Sequence, residues 1–594
     1  MPDLAVPPSR FATLDRHWLR WTTLAWAVLI AWFVWDRWNS IYWLGLSDTD
    51  DNMRFMQVRA WLAGQSWWDL TQHRLNPPEG LNIHWSRLVD LPIAALQIIL
   101  RPFAGPAWAE KLAAGIAPLL PLGVTMAALG AIVRRLVAPL AWPLAIVLLL
   151  GAAGTMLMFK PMRIDHHGWQ LAFLAVTLAG LTDPKAARGG ATVGISSALS
   201  FVIGLEMLPY CGIAGAIIAL RWVWDAAERA RLLGYAVALG GGTALGFAAF
   251  ASNANQVLRC DALTPVYLAT FTAAAGFLAL LALVNPPLRW QRLLIAATYG
   301  AALAGGFAAL FPQCLGRPEQ VSPELYDLWL SHVREARPIY RHPWRSGLAT
   351  ATLPIIGLIG AAWATWRARG TPAFIGWVPV LACGAFAAVM LLWQVRAGPA
   401  AQLLAVPGAT ALAWIVLPKL RDHSNMLVRV FGTVAAFLLI SGLFAGLILK
   451  ALPEGKPSEW EKIVNRANAR CPSFTAMRPL NTLPPQTVFT FVDLGPRLIV
   501  LTHHKGIAGP YHRNEQAILD VHHAFMGSPD NFRRIARAHG ATLLLICPRM
   551  GESTLYQARA KKGFYSRLAR GEPFPFLEPV TMPNKSPLRV WKIR

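Results

Sequence analysis

The chain has 594 residues, of which 55% are hydrophobic and only 14% charged, with 26 tryptophans. A soluble globular chain is about one quarter charged, so this composition excludes an ordinary soluble enzyme and points to a polytopic membrane protein. The formal charge of +24 does not indicate nucleic acid, because the basic residues fall in short clusters between apolar runs and no basic patch is interleaved with aromatics.

The N-terminal stretch MPDLAVPPSRFATLDRHWLRW lacks a small-residue cleavage site after its apolar segment, so the first apolar run reads as a retained helix. Runs of about 20 mostly apolar residues, separated by polar or Pro/Gly punctuation, give about thirteen spans. The first four are Trp21–Leu46, Trp108–Val133, Pro139–Met158 and Trp169–Leu181. Then come Thr192–Leu205, Met207–Val223, Leu232–Ala251, Pro265–Val284 and Leu293–Phe311. Gly347–Trp366, Ala373–Trp393, Ala400–Leu417 and Val428–Leu449 complete the set.

Basic clusters stand before the first span and after each even-numbered one, among them Arg134–Arg135, DPKAARGG, RWVWDAAERAR, RWQR and WRARG. Positive charge stays on the cytoplasmic side, which places the N-terminus inside and everything after Leu449 outside. The expected architecture is therefore a polytopic α-helical membrane domain over residues 1–450. It has external segments at 47–107 and 312–346, followed by a periplasmic α/β domain over 451–594. In that domain TVFTFVDLGPRLIVLT, ATLLLICP and PLRVWKIR read as strands, and NEQAILDVHHAFMG and NFRRIARAHG as helices. Within 47–107, Met53, Met56, Trp61 and Leu62 at near-helical spacing suggest a short interfacial helix anchored by Trp67 and Trp68. On the external side an oxidising compartment permits the pairs Cys260–Cys314 and Cys471–Cys547, while Cys211 and Cys383 lie in spans as small core residues.

The same sidedness brings three polar motifs to one face. DTDDNMR carries Asp48, Asp50, Asp51 and Arg54; KPMRIDHHGWQ carries Lys160, Arg163, Asp165, His166 and His167; WLSHVREARP carries Glu335. Asp and His suit Mn²⁺ or Mg²⁺ when water and phosphate oxygens complete the shell. Asp165 and His167 lie two residues apart on a turn, and Asp48 would complete the protein's half of that shell. Glu206 in IGLEMLPYCG reads either as a helix-end residue in water or as the partner of a nearby Arg or Lys. Arg396 reads either as an interface anchor or as a fork for a diphosphate. The run HHKGIAGPYHRN, with His503, His504, Tyr511, His512 and Arg513, is either a polar loop over a sheet edge or a contact for acceptor or phosphate.

At these residues the chain resembles the membrane-embedded glycosyltransferases of the GT-C class, and in particular the single-subunit oligosaccharyltransferases of archaea and bacteria. Asp48 precedes Arg54 by the family's six-residue spacing, and NPPEGLNIHWSRLVDLP resembles the YPEG…W stretch of archaeal members. Asp165-His166-His167 matches the D-x-D, D-x-E or D-x-H motif, SHVREARP the SVSE-like loop with Glu335 as its glutamate, and Arg396 the arginine that meets the lipid-linked phosphate. The resemblance implies a polyprenyl-linked sugar donor, with its phosphates at His84, His166 and Arg396. It also implies a divalent metal held by Asp48, Asp165 and His167. Arg54 and Arg163 join the donor-binding candidates, and Asp48, Asp50, Asp51 and Glu335 the catalytic ones. One departure is plain: EWEKIVNRANARC stands where the family's acceptor-reading WWDYG signature is expected, so the acceptor class (lipid, glycan or protein) is open.

The expected activity is metal-dependent transfer of a sugar or oligosaccharide from a polyprenyl phosphate or diphosphate, at the periplasmic face of a bacterial inner membrane. A transporter or flippase of a lipid-linked anion is the alternative. Such proteins place polar residues at the bilayer midplane, whereas the notable charges here cluster at one face.

Overall fold

Peptide groups in hydrocarbon find no water, so long apolar runs must satisfy their backbone internally, as helices. In the computed structural model, which describes residues 13–453 and 455–594, nine helices are long and apolar enough to cross a bilayer. A tenth span arises if Val428–Ile440 and Leu443–Ala451, bent by 98° at Gly442, count as one; Gly442 takes φ 76°, the left-handed region open to glycine. Three shorter apolar helices, Trp142–Gly151, His167–Leu181 and Leu208–Trp224, accompany them. The chain is a multi-pass membrane protein.

Close helix packing rests on small residues. A Cβ on Gly360 would lie 2.1 Å from the Gly408 carbonyl oxygen, and one on Gly408 2.0 Å from that of Gly357. Only glycine lets the Trp344–Arg367 and Gly398–Arg421 backbones come this near, the device by which membrane helices associate without a hydrophobic driving force.

Two polar clusters mark opposite ends of the bundle. Asp165 and His167 stand at the start of the His167–Leu181 helix, and Asp183 lies just past its far end, about 22 Å away along fifteen residues. Around Asp183 gather Arg135 (3.3 Å), Arg188 (2.7 Å) and Arg231, which donates to the Asp183 carbonyl at 2.8 Å. The basic turns therefore collect away from the acidic motifs.

The polar segment after the first span differs from its sequence reading. A helix forms at Thr49–Leu62, but it is not interfacial: Met53, Phe55 and Val58 are fully buried beneath the C-terminal residues. The next helix begins at Asp90 rather than near Trp108, and bends at Gly105, which takes φ 74° between Pro102 and Pro106.

The C-terminal residues build one five-stranded sheet from β1 Thr487–Phe489, β2 Lys505–Gly506, β3 Leu543–Ile546, β4 Leu577–Val580 and β5 Arg589–Ile593. The spatial order is β2-β1-β3-β5-β4, parallel across the first three and antiparallel across the last three. The apolar run Leu498–Leu501, expected as strand, is instead the end of a helix, Gly495–Leu501. Pro496 starts it, and burial on both sides overrides the β preference of Ile499 and Val500, Leu498 facing the sheet's core and Ile499 the Thr49–Leu62 region. Disulfides join Cys260 to Cys314 and Cys471 to Cys547 (Cα–Cα 5.3 and 6.1 Å), while Cys211 and Cys383 are free and buried. The segment before the Trp344–Arg367 helix carries a short helix, Pro323–Leu328, whose Leu325 and Leu328 enter the same core as the sheet.

Candidate active site

The acidic motif is organised by its own helix start. Asp48 is the N-cap of Thr49–Leu62, with Oδ1 accepting from the amides of Asp50 (2.9 Å) and Asp51 (3.1 Å), while Asp51 Oδ2 accepts from the Asp48 amide at 3.1 Å. This reciprocal capping satisfies peptide donors that a helix start leaves open, and it holds three carboxyls within one turn. Asp51 is fully buried, and its Oδ1 accepts the Asp165 amide at 3.0 Å, which ties the first motif to the second.

Asp165 then gathers the rest. Its Oδ1 accepts the His167 amide (3.0 Å), and its Oδ2 meets His167 Nδ1 (2.9 Å) and the Arg163 guanidinium (2.8 Å). Arg163 also pairs with Asp48 and lies 3.5 Å from Asp51. Ligand oxygens of Asp48, Asp50 and Asp165 lie within 4.8 Å of one another. Among the described residues the Asp50 carboxylate accepts no hydrogen bond, so it faces the space between the motifs with both oxygens available.

The charges divide unequally. Burial and the neighbouring Asp165 carboxylate push Asp50 up to about 7, and the same two causes raise Asp51. Burial also works against ionised Asp165, but His167 and Arg163 beside it hold it well below the usual carboxylate range. Glu335 is exposed but partly desolvated, and its partner Arg396 and then His167 hold it below the usual carboxylate value; both Glu335 and Arg396 are near enough for their charges to act on Asp50.

On the flank, His166 stacks on His167 (ring centroids 4.5 Å) and its Nε2 meets Glu206 Oε1 at 2.9 Å, leaving a buried Nδ1 without a hydrogen-bond partner. Glu206 also accepts from Gln170 Nε2 at 3.0 Å, so its partners are an imidazole and an amide, neither an Arg or Lys nor open water.

The structure thus brings together Asp48, Asp50, Asp51, Arg163, Asp165, His166, His167, Glu335 and Arg396. It does not bring Arg54, which points elsewhere: six residues along a helix is about 120° round from Asp48. Arg54 is buried, donates to Asp90 Oδ1 at 2.6 Å and lies over the Trp85 ring at 4.6 Å. His84 stands apart from the acidic motif, with its ring 4.9 Å from that of His512 and close to Asp261. Arg513 Nε and Nη2 each donate to Asp261 at 2.7 Å, so HHKGIAGPYHRN contributes to this second cluster. Burial first, then His512, lowers His84, which is therefore a neutral imidazole. Asp261 and Gln170 escaped the sequence reading, although Asp261 adjoins Cys260; Trp85 was given no role there, though it is the tryptophan of the run that resembles YPEG…W.

The donor set fits a hard divalent ion, with three carboxylates converging and an imidazole beside them whose Nε2 is not engaged by Asp165. No family model and no curated protein matches the chain. Solved structures do. The archaeal oligosaccharyltransferase AglB from Archaeoglobus fulgidus, in complex with an inhibitory peptide and a dolichol-phosphate, aligns over 95% of this chain and 73% of its own, at 15% identity and TM-score 0.65. The Archaeoglobus fulgidus enzyme tethered to an acceptor peptide aligns over 96% and 74%, at 13% identity and TM-score 0.67. A complex of that enzyme with Zn and sulfate gives 14% identity and TM-score 0.59 over 94% and 71%. The chain therefore has the GT-C fold of membrane glycosyltransferases, on the oligosaccharyltransferase scaffold.

Proposed function

We propose that the protein transfers a sugar or oligosaccharide from a polyprenyl phosphate or diphosphate to an acceptor at the external (periplasmic) face of a bacterial inner membrane. The observation that carries this reading is the convergence of Asp48, Asp50 and Asp165, from segments more than a hundred residues apart, at the end of the bundle away from the basic turns. Among the described residues nine helices are long enough to cross a bilayer, ten with the bent pair, and a thirteen-span bundle requires the three shorter apolar helices to cross as well. Oligosaccharyltransferase structures of the same fold bind dolichol-phosphate and acceptor peptide.

Asp48, Asp165 and His167 would hold a divalent ion, Mn²⁺ or Mg²⁺, which would supply positive charge to the departing phosphate. Around it, the Arg396 guanidinium offers donors to the donor lipid's phosphate oxygens, and His166, whose Nε2 is held by Glu206, lines the same space with an unpartnered Nδ1. Asp50, with unengaged oxygens, takes the proton of the acceptor as the acceptor atom bonds to the anomeric carbon and the bond to phosphate oxygen breaks. Asp51 is tied on both oxygens and acts as a brace, and Glu335 orients the acceptor beside Asp50. The transporter reading calls for polar groups at mid-span, and the cluster described here lies at helix ends.

The test is mass spectrometry of lipid-linked sugars and envelope glycans from cells with and without the gene. Accumulation of one polyprenyl-linked donor and loss of one glycan are expected, and they should be reproduced by Asp165→Asn. Identical profiles reject the reading.

A further inference from the structure

The main chain around Asp48 is held from an unexpected quarter. Arg497, in the Gly495–Leu501 helix and 6% exposed, donates from Nη1 to the Leu44 carbonyl (2.9 Å) and to Asn52 Oδ1 (3.2 Å), and from Nε to the Pro472 carbonyl (2.8 Å). Asn52 passes this on, since its Nδ2 donates to the Asp48 carbonyl. Tyr511, 4% exposed, donates its hydroxyl to the Thr49 carbonyl at 2.8 Å, the next peptide along. Its ring meets Trp85 edge-on at 5.9 Å, and the Trp85 ring lies 5.8 Å from that of His166. Two side chains from the sheet domain therefore grip the peptides on either side of the Asp48–Thr49 junction.

Their own placement is not free. Arg59 donates to the Val500 carbonyl (3.0 Å), and Arg74 to those of Ile499 (2.8 Å), Thr502 (2.6 Å) and His504 (2.6 Å), so the carbonyls that a helix end leaves open are taken up by the external segment. The Gly506 amide donates to the Arg74 carbonyl (2.9 Å) and the Asn76 amide to the Gly506 carbonyl (3.0 Å), which fixes the register between the two parts. A Cβ on Gly495 would lie 1.9 Å from the Ala508 carbonyl oxygen, so only glycine lets the helix start pack this close to that carbonyl.

We propose that Arg497 and Tyr511 are positioning residues for the transfer reaction: they set the backbone on both sides of Asp48 so that its carboxylate meets Asp165 and Asp50, and the sheet domain is thereby a structural half of the reaction centre. This rests on the transferase reading above. Neither residue touches the acidic cluster directly, and misplacement of a reacting group by about 1 Å can cost 10²-fold in rate.

The experiment compares full-length Tyr511→Phe, Arg497→Lys and Arg497→Met with wild type and with Arg567→Gln, which removes a half-exposed ion pair of the same domain. Three quantities are read: kcat and KM for the lipid-linked donor, thermal melting, and hydrogen–deuterium exchange of residues 45–55. The expected result is kcat lower by about tenfold or more in Tyr511→Phe and Arg497→Met, with KM changed less than about twofold; melting falls in Arg497→Met, which strips buried acceptors of their donor, and least in Tyr511→Phe. Arg497→Lys should recover part of the loss, exchange at 45–55 should rise in step with it, and Arg567→Gln should match wild type. Wild-type kcat in Tyr511→Phe and Arg497→Met overturns the proposal, as does lowered kcat without faster exchange, because positioning acts through that backbone. If wild type transfers nothing, the transferase reading fails by itself, while exchange at 45–55 still reports whether these two side chains hold the turn.

Discussion

Asp48 performs two separable tasks, and substitution can part them. As N-cap it accepts two backbone amides, and as a carboxylate it adds charge beside Asp165. Asparagine keeps the cap and drops the charge, whereas alanine loses both, and a lost cap costs about 1 kcal/mol. Asp48→Asn and Asp48→Ala should both lower transfer by about 100-fold or more, with only the alanine variant melting earlier; initial rates and melting curves on purified protein check this. Arg54 makes the opposite case. Its spacing from Asp48 was legible and suggested a shared site, but helical geometry turns it toward Asp90, an acid whose role nothing in the sequence signalled. Arg54→Met should therefore act on folding, lowering stability by about 3 kcal/mol, because a buried carboxylate is left with only the longer contact to Arg87 at 3.4 Å. Melting of the solubilised variant is the measurement, and wild-type stability would show that Asp90 does not need its arginine.

At the scale of elements, helices were readable wherever apolar length alone decides, and less so where packing does. Leu498–Leu501 looks like strand by composition, yet becomes helix because both of its sides find a core. Met53, Met56 and Trp61 do lie on a helix, but what covers it is a domain more than four hundred residues later, which no local pattern encodes. The glycines of Trp344–Arg367 and Gly398–Arg421 carry an element-level prediction. Gly360→Val should prevent these backbones from meeting and abolish folded protein, read as loss of the monodisperse species in detergent chromatography. In the sheet domain, Glu552 accepts the Val492 and Asp493 amides at 2.9 Å each, and burial together with the Asp493 carboxylate pushes it up to about 8. A folded-state value above the ordinary one means that the folded form holds the proton more tightly. The stability this contributes is complete below about pH 4.5 and is lost as pH rises through about 8. Melting of the full-length protein should fall between about pH 4.5 and 8, and Glu552→Gln should flatten that dependence.

For the whole molecule, the separation of charge between the two ends is the most legible property, since it depends only on where basic turns fall between apolar runs. It predicts that single cysteines replacing exposed Trp460 and exposed Arg421 react with a membrane-impermeant reagent from opposite sides, Trp460→Cys in intact spheroplasts and Arg421→Cys only after lysis. Labelling of both from one side would overturn the assigned orientation. The assembly of the reaction centre was far less legible, because its parts come from residues 48–51, 163–167, 335 and 396, and distance along a chain says little about distance in space. The contact of Tyr511 with the Thr49 carbonyl spans almost the full chain and so has a consequence in time. A ribosome delivers residue 49 long before residue 511, so the turn at Asp48 waits in the membrane without its final support until translation is nearly over. On the transferase reading, the nascent protein is thus inserted before its reactive geometry is complete, and that geometry comes only when the last part of the chain arrives.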